Sequence, residues 1–129
     1  MMMKNEQKVL VIDDEVHILH VIALKLRKAG YSVITSQDGR DGLELAQVEL
    51  PDLIITDYQM PYLSGLELCK RLRRIPSTRH IPAIMLTARG FAVDEAAMLS
   101  AGIELCIHKP FGPRDLLRRV DEILAVVPV

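Results

Sequence analysis

Five short apolar runs, each followed by a stretch with helical spacing, confine this chain to very few folds. The runs are Val9–Ile12, Leu53–Ile55, Ala83–Leu86 and Leu105–Ile107, with Tyr31–Thr35 as a fifth, centred on Val33 and Ile34. Apolar residues fall on both parities of these runs. That suits strands buried on both faces of a parallel sheet, since a half-exposed strand would alternate.

Between the runs the spacing becomes helical. Val16, Leu19, Ala23 and Leu26 share one face of a first helix, which Gly30 can end in the left-handed conformation. Leu43 and Ala46 mark a short second helix after a turn at Asp38-Gly39. Leu68, Leu72 and Ile75 mark a third, stopped by Pro76, and a fourth lies around Asp94–Ser100 and ends at Gly102. Leu116, Val120, Ile123 and Val127 share a face of the fifth, with Pro113 in its first turn. Five βα repeats imply one α/β domain with a parallel sheet and right-handed crossovers.

The 129 residues, half of them hydrophobic, are enough for a single core. A net charge of −1 steers the chain toward neither nucleic acid nor an acidic surface. Cys69 and Cys106 have neither disulfide-framework nor metal-site spacing and read as reduced thiols. The segment from Met1 to Gln7 lacks the apolar stretch of a signal peptide. No apolar run approaches the roughly 18 residues of a spanning helix. The expectation is a cytoplasmic protein, with neither membrane nor direct nucleic-acid binding.

In open sheets of this kind the site lies outside the carboxyl ends of the strands. There the sequence places Asp13, Asp14 and Glu15 after the first strand, Asp57 after the third, Thr87 after the fourth and Lys109-Pro110 after the fifth. Clustered carboxylates repel one another, and a divalent cation relieves the repulsion. Magnesium suits oxygen ligands, takes one or two carboxylates directly and keeps several waters. Lys109 supplies a point charge for a phosphate oxygen and Thr87 a hydroxyl. Phosphoryl transfer needs mainly such positioning and neutralisation, and an aspartate can act as the nucleophile, forming an acyl phosphate. Taken singly, each residue has an ordinary explanation. Asp14 or Glu15 suits a cap on the first helix, Thr87 a cap on the fourth, and Lys109 a solvated side chain. Their coincidence at one sheet edge favours the joint reading.

Those residues sit in stretches that resemble response-regulator receiver domains of two-component systems, chemotaxis-regulator-like in form. The matching stretches are Val9–Glu15, Asp52–Asp57, Met60-Pro61 with Ser64-Gly65, Ile84–Ala88 and His108–Phe111. The resemblance runs from about Lys8 to Leu124. It implies a flavodoxin-like (βα)5 fold with strand order 2-1-3-4-5 and helices on both faces. It implies a receiver over residues 8–127, with 1–7 as an N-terminal extension and 128–129 as a tail. Residue by residue, it implies Asp57 as phosphoacceptor and Asp13 and Asp14 as the acidic magnesium pair. These would be joined by the Asp57 carboxylate and the Gln59 carbonyl, with manganese as a possible substitute ion. Thr87 would be the switch hydroxyl, Lys109 the phosphate-pairing lysine, and the Lys109–Pro110 bond cis. Gln59 and Arg89 would tune the lifetime of the acyl phosphate. Such a domain catalyses only its own phosphorylation and dephosphorylation. Its phosphoryl donor is a sensor histidine kinase or a histidine phosphotransfer protein. Its target docks on the face made by helix 4, strand 5 and helix 5, with a phosphorylation-dependent homodimer as one outcome.

The chain departs from the family at Cys106, where many receivers carry Tyr or Phe three residues before the lysine. The small thiol puts the usual readout from Thr87 in doubt. The run Glu104-Leu105-Cys106 also lacks an acidic residue and the aromatic found in the transcription-factor subfamily that dimerises through that face. Arg119 and Asp115 leave room for cross-subunit ion pairs, which are weak evidence. Lys70, Arg71, Arg73 and Arg74 read as a solvated face of the third helix, and His17 and His20 as surface residues. Three rivals remain. A haloacid-dehalogenase-type phosphatase wants Asp-x-Asp where this chain has Asp13-Asp14-Glu15. A flavodoxin wants a hydroxyl- and glycine-rich phosphate loop there. A degenerate receiver acting only as a scaffold would not need the intact acidic pair, Asp57, Thr87 and Lys109. There is no G-x-G-x-x-G or Walker loop to suggest nucleotide binding.

Overall fold

The structure is a computed structural model and describes residues 6–88 and 94–124. In chain order the elements are β1 (Lys8–Ile12), α1 (Val16–Lys28), β2 (Ser32–Ser36), α2 (Gly39–Glu49), β3 (Leu53–Asp57), α3 (Gly65–Arg73), β4 (Ala83–Ala88), α4 (Glu95–Ser100), β5 (Ile103–Lys109) and α5 (Pro113–Leu124). All strand pairs are parallel, in the order β2-β1-β3-β4-β5. This is the flavodoxin-like arrangement expected of the sequence.

Strand parity sorts the core into two layers. Leu10, Ile12, Ile54 and Met85 pack with Ala46 of α2, Leu68 and Leu72 of α3 and Met98 of α4. The alternate residues Val9, Val11, Ile55, Ile84 and Leu86 pack on the opposite face with Leu19, Ile22 and Leu26 of α1 and Leu116 and Val120 of α5. Strand side chains alternate between faces, so a one-residue slip of any central strand would exchange these sets. Each fully buried aliphatic side chain contributes about 1.5–3 kcal/mol, and the pattern therefore specifies the register.

The helix ends follow local chemistry. Gly30, at φ 106°, lets the chain turn after α1, where the Tyr31 N–H donates to the Leu26 carbonyl at 3.1 Å. Asp38 caps α2 by accepting from the Asp41 N–H at 2.8 Å, so the turn expected at Asp38-Gly39 is the start of the helix itself. Ser64 and Asp94 cap α3 and α4 in the same way.

Three details differ from the sequence reading, and one ordinary alternative falls away. Val16 lies in the first turn of α1 and is exposed, while Ile22 takes its place on the buried face. Ile75 falls beyond the end of α3. The cap that offered Thr87 an ordinary role is filled by Asp94 instead. Arg73 is not solvated like its neighbours Arg71 and Arg74. Its guanidinium turns inward against Gly102 and donates to the Arg79 and Ile81 carbonyls. Val127 and Arg89 lie outside the described residues.

Candidate functional site

The carboxyl ends of β1, β3, β4 and β5 meet at one edge of the sheet. Asp13 follows β1 directly, and its N–H continues the ladder to the Ser36 carbonyl at 3.1 Å. Its side chain is wholly buried, with Oδ1 accepting from the Glu15 N–H at 2.9 Å. Asp14 points outward and is exposed. Glu15 occupies the N-cap position of α1 but makes no side-chain cap; its carboxylate reaches Lys109 instead.

Asp57 is the last residue of β3 and is nearly buried. The loop that follows is held by the Tyr58 N–H donating to the Leu86 carbonyl at 2.8 Å and by the Gly65 N–H donating to the Tyr58 carbonyl at 2.9 Å. A Cβ on Gly65 would stand 2.2 Å from the Asp57 carbonyl oxygen. Only glycine allows α3 to begin that close, and Asp57 is thereby set from two sides.

Lys109 ends β5 and binds three carboxylates at once. Its Nζ lies 2.8 Å from Glu15 Oε1, 3.0 Å from Asp13 Oδ2 and 3.3 Å from Asp57 Oδ1. The peptide bond from Lys109 to Pro110 is cis. Thr87, also fully buried, sits opposite His108 in the β4–β5 register, with Oγ1 3.0 Å from His108 Nδ1.

One ammonium does not balance this much negative charge. Burial, then the neighbouring Asp13 charge, pushes the Asp57 pKa up to about 6, against the pull of Lys109. Burial raises Asp13 as well, opposed by the Glu15 N–H and by Lys109. Burial alone would lower Lys109; its bonds to Glu15 and Asp13 and the charges of Asp13 and Asp57 more than reverse this and hold it above the usual lysine range.

The arrangement is suited to a hard divalent cation. Carboxylate oxygens of Asp13, Asp14 and Asp57 all lie within 4.8 Å of one another. Asp13 Oδ2 is buried, and the Lys109 ammonium at 3.0 Å is its partner. That one ammonium is shared among three carboxylates, so the cluster keeps negative charge that a divalent cation would offset. Asp14, Glu15, Asp57, Tyr58, Gln59, Ala88 and Lys109 line an open cleft of about 290 Å³ beside the cluster, large enough for a phosphoryl group with its waters. Gln59 is exposed at the rim of this cleft.

The site therefore gathers Asp14, Asp57, Gln59 and Lys109 around one cleft with Asp13 buried against Lys109, while Thr87 is turned toward β5. Cys106 lies two residues before His108 on the same face of β5, half-buried, with its thiol raised by burial. His108 was not singled out by the sequence reading. The signal for it was its place immediately before the lysine, which gains meaning only once the β4–β5 register sets it across from Thr87. His17 and His20 are exposed on α1. Among the described residues no helix is long and apolar enough to cross a membrane.

Known proteins match this geometry and sequence together. The family model for the response regulator receiver domain matches residues 9–121. The alkaline phosphatase synthesis transcriptional regulatory protein PhoP of Bacillus subtilis is 41% identical over 118 residues, covering 92% of this chain and 48% of PhoP. The chain thus spans about half the length of the curated relatives it matches. The chemotaxis response regulator CheY4 of Vibrio cholerae superposes with a TM-score of 0.83 at 33% identity, covering 91% of this chain and 98% of CheY4. The receiver domain of sensor histidine kinase PA1611 from Pseudomonas aeruginosa superposes with a TM-score of 0.82 at 29% identity, covering 92% and 98%, and that structure has magnesium coordinated in its active-site cleft. With its parallel sheet in the order 2-1-3-4-5 and acidic cluster at the strand ends, the chain belongs to the response regulator receiver domains, the phosphoacceptor modules of two-component signalling.

Proposed function

We propose that Asp57 carries the phosphoryl group, received from a phosphohistidine of a sensor kinase or a histidine phosphotransfer protein in the cytoplasm. The observation that supports this most is the clustering of the Asp57 carboxylate with Asp13, Asp14 and Lys109 beside one open cleft. An Asp57 carboxylate oxygen attacks the phosphorus, the bond from phosphorus to the donor imidazole breaks, and the imidazole leaves with the electron pair. With a pKa of about 6, Asp57 is mostly ionised near neutral pH and ready for attack.

Asp14 and Asp57 would hold magnesium directly, with the Gln59 carbonyl completing the protein ligands and Asp13 reaching it largely through water. Manganese would substitute. When bound, the ion offsets carboxylate repulsion and the charge of the incoming phosphoryl oxygens. Lys109, already poised 3.3 Å from Asp57, meets one phosphoryl oxygen, and Thr87 turns its hydroxyl toward another. Gln59 at the rim, and Arg89, would govern access of the hydrolytic water and so the lifetime of the acyl phosphate. The switched surface would be the face of α4, β5 and α5, read by an output domain, a separate target or a second copy.

The test is intact-mass analysis after incubation with magnesium and acetyl phosphate. One phosphoryl group should appear, labile to base and to hydroxylamine, and should be absent from Asp57→Asn. Full labelling of that variant would refute the assignment of the acceptor.

A further inference from the structure

Position 106 carries a thiol where an aromatic side chain is usual, so the movement of Thr87 needs another route to the α4–β5 face. The Thr87 hydroxyl is not idle: it is fully buried and bonded to His108 Nδ1 at 3.0 Å. The two residues are paired across β4 and β5. A threonine hydroxyl has a single proton. If that proton is given to the imidazole, it cannot at the same time be given to a phosphoryl oxygen on Asp57.

His108 is exposed, and its ring borders a groove of about 520 Å³ lined also by Glu95, Met98, Leu99, Glu104 and Cys106. Leu99 is among the most exposed large apolar side chains of the described residues. Alternate residues of a strand share a face, so Cys106 and His108 lie side by side there. The imidazole therefore has the buried switch hydroxyl at one ring atom and the partner-accessible groove beside it.

We propose that His108 is a positioning residue. Its Nδ1 accepts the Thr87 proton in the unphosphorylated state and holds the hydroxyl away from Asp57, and its release on phosphorylation rearranges the α4–β5 groove. This rests on the reading of Asp57 and Thr87 given above. Relative strengths make the exchange workable. A neutral hydrogen bond biases an equilibrium by about fivefold, whereas one to an ionised acceptor biases it by more than about tenfold. Thr87 thus stays with His108 until a phosphoryl group arrives and then leaves it. The imidazole takes over the coupling role that a thiol at position 106 is too small to fill.

The probe is magnesium with beryllofluoride, a stable mimic of the phosphoryl group, added to the whole chain. Nitrogen-15 NMR of the free protein should show His108 Nδ1 as a hydrogen-bonded, unprotonated nitrogen whose resonance shifts when beryllofluoride binds. In Thr87→Ala the released resonance should already be present without the mimic. His108→Ala alters an exposed side chain and should bind beryllofluoride about fivefold more tightly at the same magnesium concentration, because no competing acceptor remains. The inference is overturned if wild type binds the mimic and Thr87→Ala weakens binding, yet the His108 resonances do not move and His108→Ala binds like wild type. A protonated Nδ1 in the free protein would overturn it too. Wild type that binds no beryllofluoride would overturn the Asp57 reading, and this inference with it.

Discussion

Replacing Asp57 with Asn removes a charge that burial and Asp13 both disfavour. The Asp57 pKa is raised from 3.8 to about 6, first by burial and then by Asp13. Because the folded value lies above the unfolded one, the native state binds more protons through that window. The stability that comes with protonation is present at low pH and is lost as pH rises from about 4 to about 6. Roughly two pKa units at about 1.4 kcal/mol each make ionised Asp57 cost about 3 kcal/mol near neutrality. Asn keeps the shape and removes the charge, and Lys109 retains Asp13 and Glu15 as partners. In the absence of divalent ions, Asp57→Asn should therefore melt roughly 10 °C above wild type at about pH 7.5. The gap should fall to about 1 kcal/mol at about pH 4.5, where wild type is largely protonated. Thermal and urea melts across that range in a chelating buffer measure it. Magnesium at about ten times its dissociation constant should return about 1.4 kcal/mol to wild type and less to the variant. Equal stabilities at both pH values, or a variant less stable throughout, would refute the argument that Asp57 is a strained charge relieved by its ligands.

Two further outcomes test the supports of the site. Gly65→Ala places a methyl group 2.2 Å from the Asp57 carbonyl, so the chain must shift; about 1–3 kcal/mol of stability should be lost, with slower phosphorylation by acetyl phosphate, measured by urea melts and by mass. Glu15→Gln removes an exposed partner of Lys109 and a negative charge beside the cleft, so stability should change by less than about 1 kcal/mol while phosphorylation quickens about two- to fivefold, and a slower rate would mean that Glu15 assists the reaction.

Much of this was legible in the sequence because the driving pattern is coarse. Strands buried on both faces must be apolar on both parities, and the two core layers follow directly from that alternation. Asp13, Asp14, Asp57 and Lys109 were legible because strand ends in such a sheet converge. Features that depend on the register between distant strands, or on one side chain reaching another, were not. Nothing local marks Tyr31 as the partner of Asp121, 90 residues away, where the hydroxyl donates to the carboxylate and ties the start of β2 to α5. Burial and that carboxylate hold the Tyr31 hydroxyl well above its ordinary range. Nor does anything local show why residue 42 is glycine: it lies inside α2, where a Cβ would strike Ile12 Cδ1 at 2.5 Å. Arg73 misled because a charged residue among basic neighbours looks solvated, while its actual partners are carbonyls beyond the end of its helix. Val16 misled because it is the first residue of α1, where the helical periodicity already runs but the side chain is still exposed.

The helices are not equally anchored. Helix α1 buries four side chains along its length, whereas α4 has six residues and buries only Met98. Burying one methionine is worth about 1.5–3 kcal/mol, so side-chain burial along α4 opposes a change of its placement only weakly. An alternative roughly 3 kcal/mol above the observed placement would hold on the order of 1% of molecules before any signal arrives. A ligand or modification need favour it only about 10⁴-fold to make it hold nearly all of them. The thin attachment of α4 thus sets how small an event at the strand ends can reverse the populations on the face above it, while the helices on the opposite side stay where their larger burial keeps them.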